Sequence, residues 1–356
     1  MTASRSSGAG EAHQGPSRQR GFRILAVGVP TLLGVALLVG VAMSRGMLEI
    51  HLAEGVVQFR DPSKMMYAFN YEASGHVVLY DEKLGWRNPP NLIGRTFEHP
   101  LRINANGLRG RAHGFAKPSG TERVLVLGDS YTWGFDVGDG EVFSEILEQR
   151  LGAGRQDKKE NAIEVINTGV SGWGTDQEYL FFMDEGLRYE PDIVVLAFYV
   201  LNDFNENTVS QQHGHNKPFF RDAELNLSGV PVPRSIEGVE AQTTSAGPVE
   251  ITVAIIKRLE RECRARDIDF VLMIFGTMFR PGDALMLSYT RPFFERLAEI
   301  PGLRYFNLDD RFIARGIQRK QLTVGNAGAH WNAYGHHMAA EELQAYLVEE
   351  SLIPGD

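Results

Sequence analysis

Cysteine is almost missing from this 356-residue chain, and its one copy, Cys263, excludes an internal disulfide and a cysteine-rich zinc site. Cys263 falls in a helical pattern running from Val249 to Arg266 and reads as a passive thiol. Positive charge is also in short supply: a formal net charge of -9 withholds the basic footprint of a nucleic-acid binder. No internal repeat is present. What remains is ordinary globular material, 43% hydrophobic and 23% charged, enough for one large domain or two small ones.

The stretch through Arg20 is rich in Ser, Gly, Arg and Gln without an apolar period, and reads as a disordered tail. Ile24 to Met43 then carries no charge. Twenty helical residues span about 30 Å, the thickness of one hydrocarbon core. Arg5, Arg18, Arg20 and Arg23 precede the run against one acid, Glu11. The positive-inside bias therefore puts residues 1–23 in the cytoplasm and everything after Arg45 outside, in the periplasm or extracellular space. A cleaved signal peptide is the competing reading, but the run is long for one and its cleavage site weak.

Residues 47–120 hold short extended pieces and two distinctive stretches, Asp81 to Arg87 and Arg102 to Gly110, and are expected to pack on the main domain as an extension. From residue 121 onward the pattern alternates. Strands are expected at Arg123–Leu127, Ile163–Asn167, Ile193–Ala197, Phe270–Ile274 and Tyr305–Leu308. Helices are expected near Val142–Leu151, Gln177–Leu187, Val249–Arg266, Arg291–Leu297 and Asn332–Glu349. Such alternation predicts an α/β fold, a parallel sheet covered by helices on both faces. A polar insertion, 205–247, is long enough to suggest a lid or a disordered segment. His213 and His215 share it, but no carboxylate spacing completes a ligand set, so no metal is expected.

Four stretches fall at the ends of these elements. The run Val124 to Leu127 stops at Gly128-Asp129-Ser130, where an open sheet gathers its ligands. Gly169-Val170-Ser171-Gly172-Trp173-Gly174 follows the second strand, and its glycines suit close backbone approach to a ligand. Asn202-Asp203 follows the third strand, and Asn202 could aim its amide at a developing negative charge. His330 stands just before the last helix, with Asn332 as a plausible N-cap. Each has an ordinary reading as a turn, a cap or a structural histidine. Their coincidence at one sheet edge is what those readings fail to explain.

In that order and placement, Arg123 to Ala340 resembles the SGNH hydrolases, also called GDSL esterases. The resemblance implies a three-layer α/β/α, flavodoxin-like fold and a carboxylic-ester hydrolase without cofactor. It implies Ser130 as nucleophile and His330 as general base. It implies an oxyanion hole from the backbone N–H of Ser130 and Gly172 and the side-chain amide of Asn202, with Asp129 supporting the loop. The Gly-x-Ser-x-Gly elbow of other α/β hydrolases is absent, because position 132 is Thr.

One element of the family pattern is missing. The expected Asp two or three residues before the histidine is replaced by Gly328 and Ala327. Loss of that carboxylate in a worked protease triad costs about ten-thousandfold. Three readings stay open: a backbone carbonyl or Asn326 orients the ring; a distant acid such as Asp310 does, although Asp310 also suits a helix N-cap; or the domain only binds. The substrate class expected from location is an O-acyl, chiefly acetyl, ester of a glycan or lipid. Acyl transfer to an exported polysaccharide is the alternative. Trp133, Trp173 and Trp331 suit either a sugar face or the core. The partners expected are the membrane, through the N-terminal helix, and the ester substrate, with no nucleic acid.

Overall fold

Why the apolar runs form strands is plain from their composition: Val124, Val126, Val194, Val195 and Val271 are β-branched and suit a pleated, fully covered surface. In the computed structural model, which describes residues 48–51, 56–59, 65–67, 77–152, 162–278, 284–324 and 330–354, the chain divides into two compact units, Met1–Ser63 and Lys64–Asp356. The described part of the first is an antiparallel hairpin, β1 (Leu48–His51) with β2 (Val56–Phe59). Among the described residues no helix is long and apolar enough to cross a membrane, and Ile24–Met43 lies outside them.

The second unit opens with β3 (Met65–Tyr67), β4 (Val77–Asp81) and β5 (Gly85–Arg87) in one small sheet, and β6 (Ile93–Thr96) with β7 (His99–Arg102) in another. Five parallel strands follow: β8 (Thr121–Gly128), β9 (Ala162–Asn167), β10 (Ile193–Tyr199), β15 (Asp269–Phe275) and β16 (Arg304–Asn307). Their spatial order is β16-β15-β10-β8-β9. The strand order reverses between β8 and β10, and such a switch point opens a crevice at the carboxyl edge. Ser130 and Asn202 follow those two strands.

Alternation along each strand divides the core in two. One face carries Leu125, Leu127, Leu196, Phe198 and Leu272, packed on Phe181 and Phe182 of α3 (Thr175–Asp184), Ile255 and Leu259 of α5 (Pro248–Arg264), and Phe293 of α6 (Ala284–Leu297). The other carries Val124, Val126, Val195 and Val271, packed on Phe143 and Leu147 of α2 (Phe143–Gly152) and Leu343 and Leu347 of α9 (Ala333–Glu349). Each such side chain contributes roughly 1.5–3 kcal/mol by burial.

Four short helices were not foreseen: α1 (Ser130–Trp133), α4 (Asp203–Glu206), α7 (Leu308–Ala314) and α8 (Arg319–Leu322). All are seven residues or fewer, too short to show a hydrophobic period. The 205–247 insertion forms two hairpins, β11 (Gln211–Gln212) with β12 (His215–Asn216) and β13 (Phe219–Phe220) with β14 (Leu227–Ser228). Buried Phe219 and Phe220 root it, and Val232 exchanges hydrogen bonds with Glu82 and Tyr80. It is a packed part of this unit.

Candidate active site

The turn that carries Ser130 is shaped by crowding. A Cβ on Gly128 would lie 2.1 Å from Thr132 Oγ1, so the strand can bend into α1 only with glycine there. Asp129 caps α1, its Oδ1 accepting from the Tyr131 amide at 2.9 Å. Ser130 is the first helical residue and is 8% exposed. Gly134 closes α1 at φ +84, where a Cβ would stand 2.6 Å from Val142 Cγ2.

His330 arrives from the other end of the sequence. Its carbonyl accepts from the Val324 amide at 3.1 Å, and Trp331 bridges to Thr323. Asn332 then caps α9 by accepting from the Gly335 amide at 2.9 Å. The result is a 2.8 Å contact between His330 Nε2 and Ser130 Oγ, across 200 residues of sequence. With the proton on Nδ1, the hydroxyl donates to Nε2, the arrangement a general base needs.

Opposite His330 lies the polar flank. Asn167 donates to Thr132 O at 2.6 Å, and the Val170 amide donates to Gly128 O at 3.2 Å, which draws the Gly169–Trp173 loop against the turn that carries Ser130. A Cβ on Gly169 would be 2.4 Å from the Trp133 nitrogen. Gly172 sits in that loop at φ +78. Asn202 Nδ2 donates to Asp129 Oδ2 at 3.0 Å, which commits one amide hydrogen to holding the side chain.

Behind Asn202 is a buried group of acids. Burial pushes Asp129 up to about 7 and Glu206 up to about 8, and it raises Glu178, Asp203 and Asp176 as well. Lys217, from the insertion, reaches in to bond Asp176 and the Glu206 carbonyl. His213 Nε2 lies 3.5 Å from Glu206 Oε1, and burial pushes its pKa down to about 4. His215 instead faces the Trp86 ring at 5.7 Å.

Several site expectations change in detail. Asn326 lies outside the described residues. Asp310 is exposed, and the cap of α7 is Asn307, whose side chain accepts from the Asp309 amide at 3.0 Å. The buried acid is its neighbour Asp309, which accepts from the Gly276 and Met278 amides at 3.0 and 2.6 Å, and burial pushes it up to about 6. Trp133, Trp173 and Trp331 are all core, so none is a sugar platform.

The residues that sequence reasoning missed come from the extension. Trp86 Nε1 donates to Ser171 O at 3.0 Å, and Asn88 donates to Gly169 O at 3.1 Å, bracing the glycine loop from behind. Arg109 is buried and donates to Trp133 O at 2.8 Å, Val137 O at 2.5 Å and Gly134 O. Burial lowers its pKa to about 10. Trp86 and Arg109 lie in the two distinctive stretches of the extension, so a signal existed, but nothing in their spacing showed what they would touch.

A serine hydroxyl on a histidine at the switch point of a parallel sheet is a hydrolase arrangement, and residues 126–338, more than half of the chain, match the GDSL-like lipase/acylhydrolase family. The chain belongs to that family. Its fold is the SGNH hydrolase fold with a central five-stranded parallel sheet. The family is one of ester hydrolases. Similar solved structures include a lipolytic protein of the G-D-S-L family from Desulfitobacterium hafniense, with 15% identity over 63% of this chain and 99% of that one, TM-score 0.42. An acetylxylan esterase from Geobacillus stearothermophilus shows 16% identity over 64% and 94%, TM-score 0.43. A psychrotrophic esterase from Pseudoalteromonas shows 14% over 65% and 100%, TM-score 0.42. No curated protein matches.

Proposed function

We propose that this protein is a serine carboxylic-ester hydrolase, tethered to the membrane by Ile24–Met43 and facing outward, that removes O-acyl groups from glycans or lipids. The observation that carries the chemistry is the 2.8 Å contact between His330 Nε2 and Ser130 Oγ. Ser130 Oγ attacks the ester carbonyl while its proton passes to His330 Nε2. The Asn202 amide and the Ser130 and Gly172 backbone N–H groups are the donors that receive the oxyanion. One such donor is typically worth roughly a hundredfold to a thousandfold in rate. The tetrahedral adduct collapses, the C–O bond to the alcohol breaks, and His330 returns the proton to the leaving oxygen. Water then enters by the same steps in reverse and releases the acid.

Acyl transfer to a sugar hydroxyl would share the first half and differ only in the acceptor. The membrane tether and outward orientation rest on the uncharged run and the arginines before it. The enzyme reading is tested by p-nitrophenyl acetate turnover with the full chain in detergent. Hydrolysis that disappears in Ser130→Ala is expected; equal release from both proteins removes the reading.

A further inference from the structure

We propose that Phe135 and Tyr131 are positioning residues for His330, holding the imidazole plane so that Nε2 faces Ser130 Oγ. The inference rests on the serine–histidine reading above. The ring of Phe135 lies 4.5 Å from the imidazole, and that of Tyr131 lies 4.9 Å away, each tilted 35° to it. Offset, tilted rings at this spacing attract one another beyond their area burial. The two rings hold the plane of the imidazole, and the hydrogen bond to Ser130 Oγ sets Nε2 toward the hydroxyl within that plane.

Both rings come from the segment that carries the nucleophile. Tyr131 follows Ser130 directly, and the Phe135 amide bonds back to Ser130 O at 3.1 Å. Serine and histidine are thus aligned by one stretch of six residues. That stretch is itself locked. Tyr131 packs on Tyr199 at 4.4 Å, Phe275 at 5.0 Å and Trp331 at 4.9 Å. Phe135 meets Phe97 edge-on at 5.2 Å, and the carbonyls on either side of it, Gly134 O and Val137 O, are gathered by buried Arg109. Trp331, the residue after the base, donates its indole N–H to Thr277 Oγ1 at 3.1 Å, in the loop that Asp309 holds.

The test compares ring-removing with ring-preserving variants. Phe135→Leu and Tyr131→Leu are set against Phe135→Tyr and Tyr131→Phe, with melting temperature, kcat and KM measured for each. Small misplacements of a catalytic group cost up to roughly a hundredfold, so the leucine variants should lose roughly tenfold to a hundredfold in kcat with KM nearly unchanged. The ring-preserving variants should stay within a few-fold of the starting protein. A folded Phe135→Leu protein with unaltered kcat, or equal losses in leucine and ring-preserving variants, overturns the proposal. Should the leucine variants not fold, Phe135→Met is judged by the same criterion. A second readout is independent of turnover: histidine carbon-proton NMR, with His330 identified by loss of its signals in His330→Gln. Ring-current-shifted His330 signals that relax in the Phe135 ring-removing variant support the proposal even if no ester is hydrolysed, in which case only the hydrolase reading fails. Unshifted His330 signals contradict the proposal.

Discussion

The two flanks of Ser130 are built from opposite materials. On the His330 side the walls are rings, Tyr131, Phe135 and Trp331, and position is set by packing. On the Asn202 side the walls are carboxyl groups, Asp129, Glu178, Asp203 and Glu206, and position is set by hydrogen bonds to carboxyl groups that titrate, such as that from Asn202 to Asp129. In the proposed mechanism His330 changes charge in every turnover, so a seat that does not itself ionise keeps its geometry constant. In that mechanism Asn202 keeps its charge, and the acids behind it can titrate without entering the reaction. The aromatic flank should therefore answer to shape and the acidic flank to pH.

The largest effect separates the flanks by role. His330→Ala should lower kcat roughly ten-thousandfold or more, as loss of a base does in worked serine enzymes. Asn202→Ala should cost roughly a hundredfold to a thousandfold. Equal losses, read from kcat with a p-nitrophenyl ester, would erase the distinction. Next comes the anchor of the aromatic flank. Arg109→Ala leaves three carbonyls without their donor, and orphaned buried polar groups cost about 1–3 kcal/mol each, so urea denaturation should show a loss of about 3 kcal/mol or more. A loss under about 1 kcal/mol would mean that water replaces the guanidinium.

Last comes the pH response of the acidic flank. Asp129 and Glu206 are raised in the folded protein to about 7 and about 8, whereas unfolded carboxyls titrate near 4. The folded state therefore holds extra protons between those values. Their contribution is whole below about pH 4, shrinks as pH climbs, and is gone above the folded values. The melting temperature should be lower at pH 8.5 than at pH 5.5, at roughly 2–4 °C per kcal/mol for a domain of this size. Glu206→Gln should narrow that gap, and an unchanged gap would show that Glu206 is not part of the response.

The sheet was legible because its strands are continuous apolar runs, such as Ile193 to Tyr199, whose periodicity survives any context. The meeting of Ser130 with His330 was expected from the family resemblance, whose four blocks stand in order at strand ends and loops. Their supports were not. Asp309 rather than Asp310 is turned inward because Asn307 starts α7 two residues before Asp309, a choice made by a cap that spacing alone does not reveal. Phe135 stood in plain view after Gly134, but an aromatic residue there reads as core until the histidine is brought to it from residue 330. The contacts of Trp86, Asn88 and Arg109 join segments far apart in sequence, and propensity carries no information about such pairs.

The central claim is that Ser130, activated by His330, becomes acylated. Incubating the full chain with an alkyl fluorophosphonate and mapping the adduct by mass spectrometry tests it most directly. One covalent adduct on Ser130 is predicted, absent in Ser130→Ala and much slower to form in His330→Ala. A chain that stays unlabelled, or that labels as fast without His330, would contradict the account.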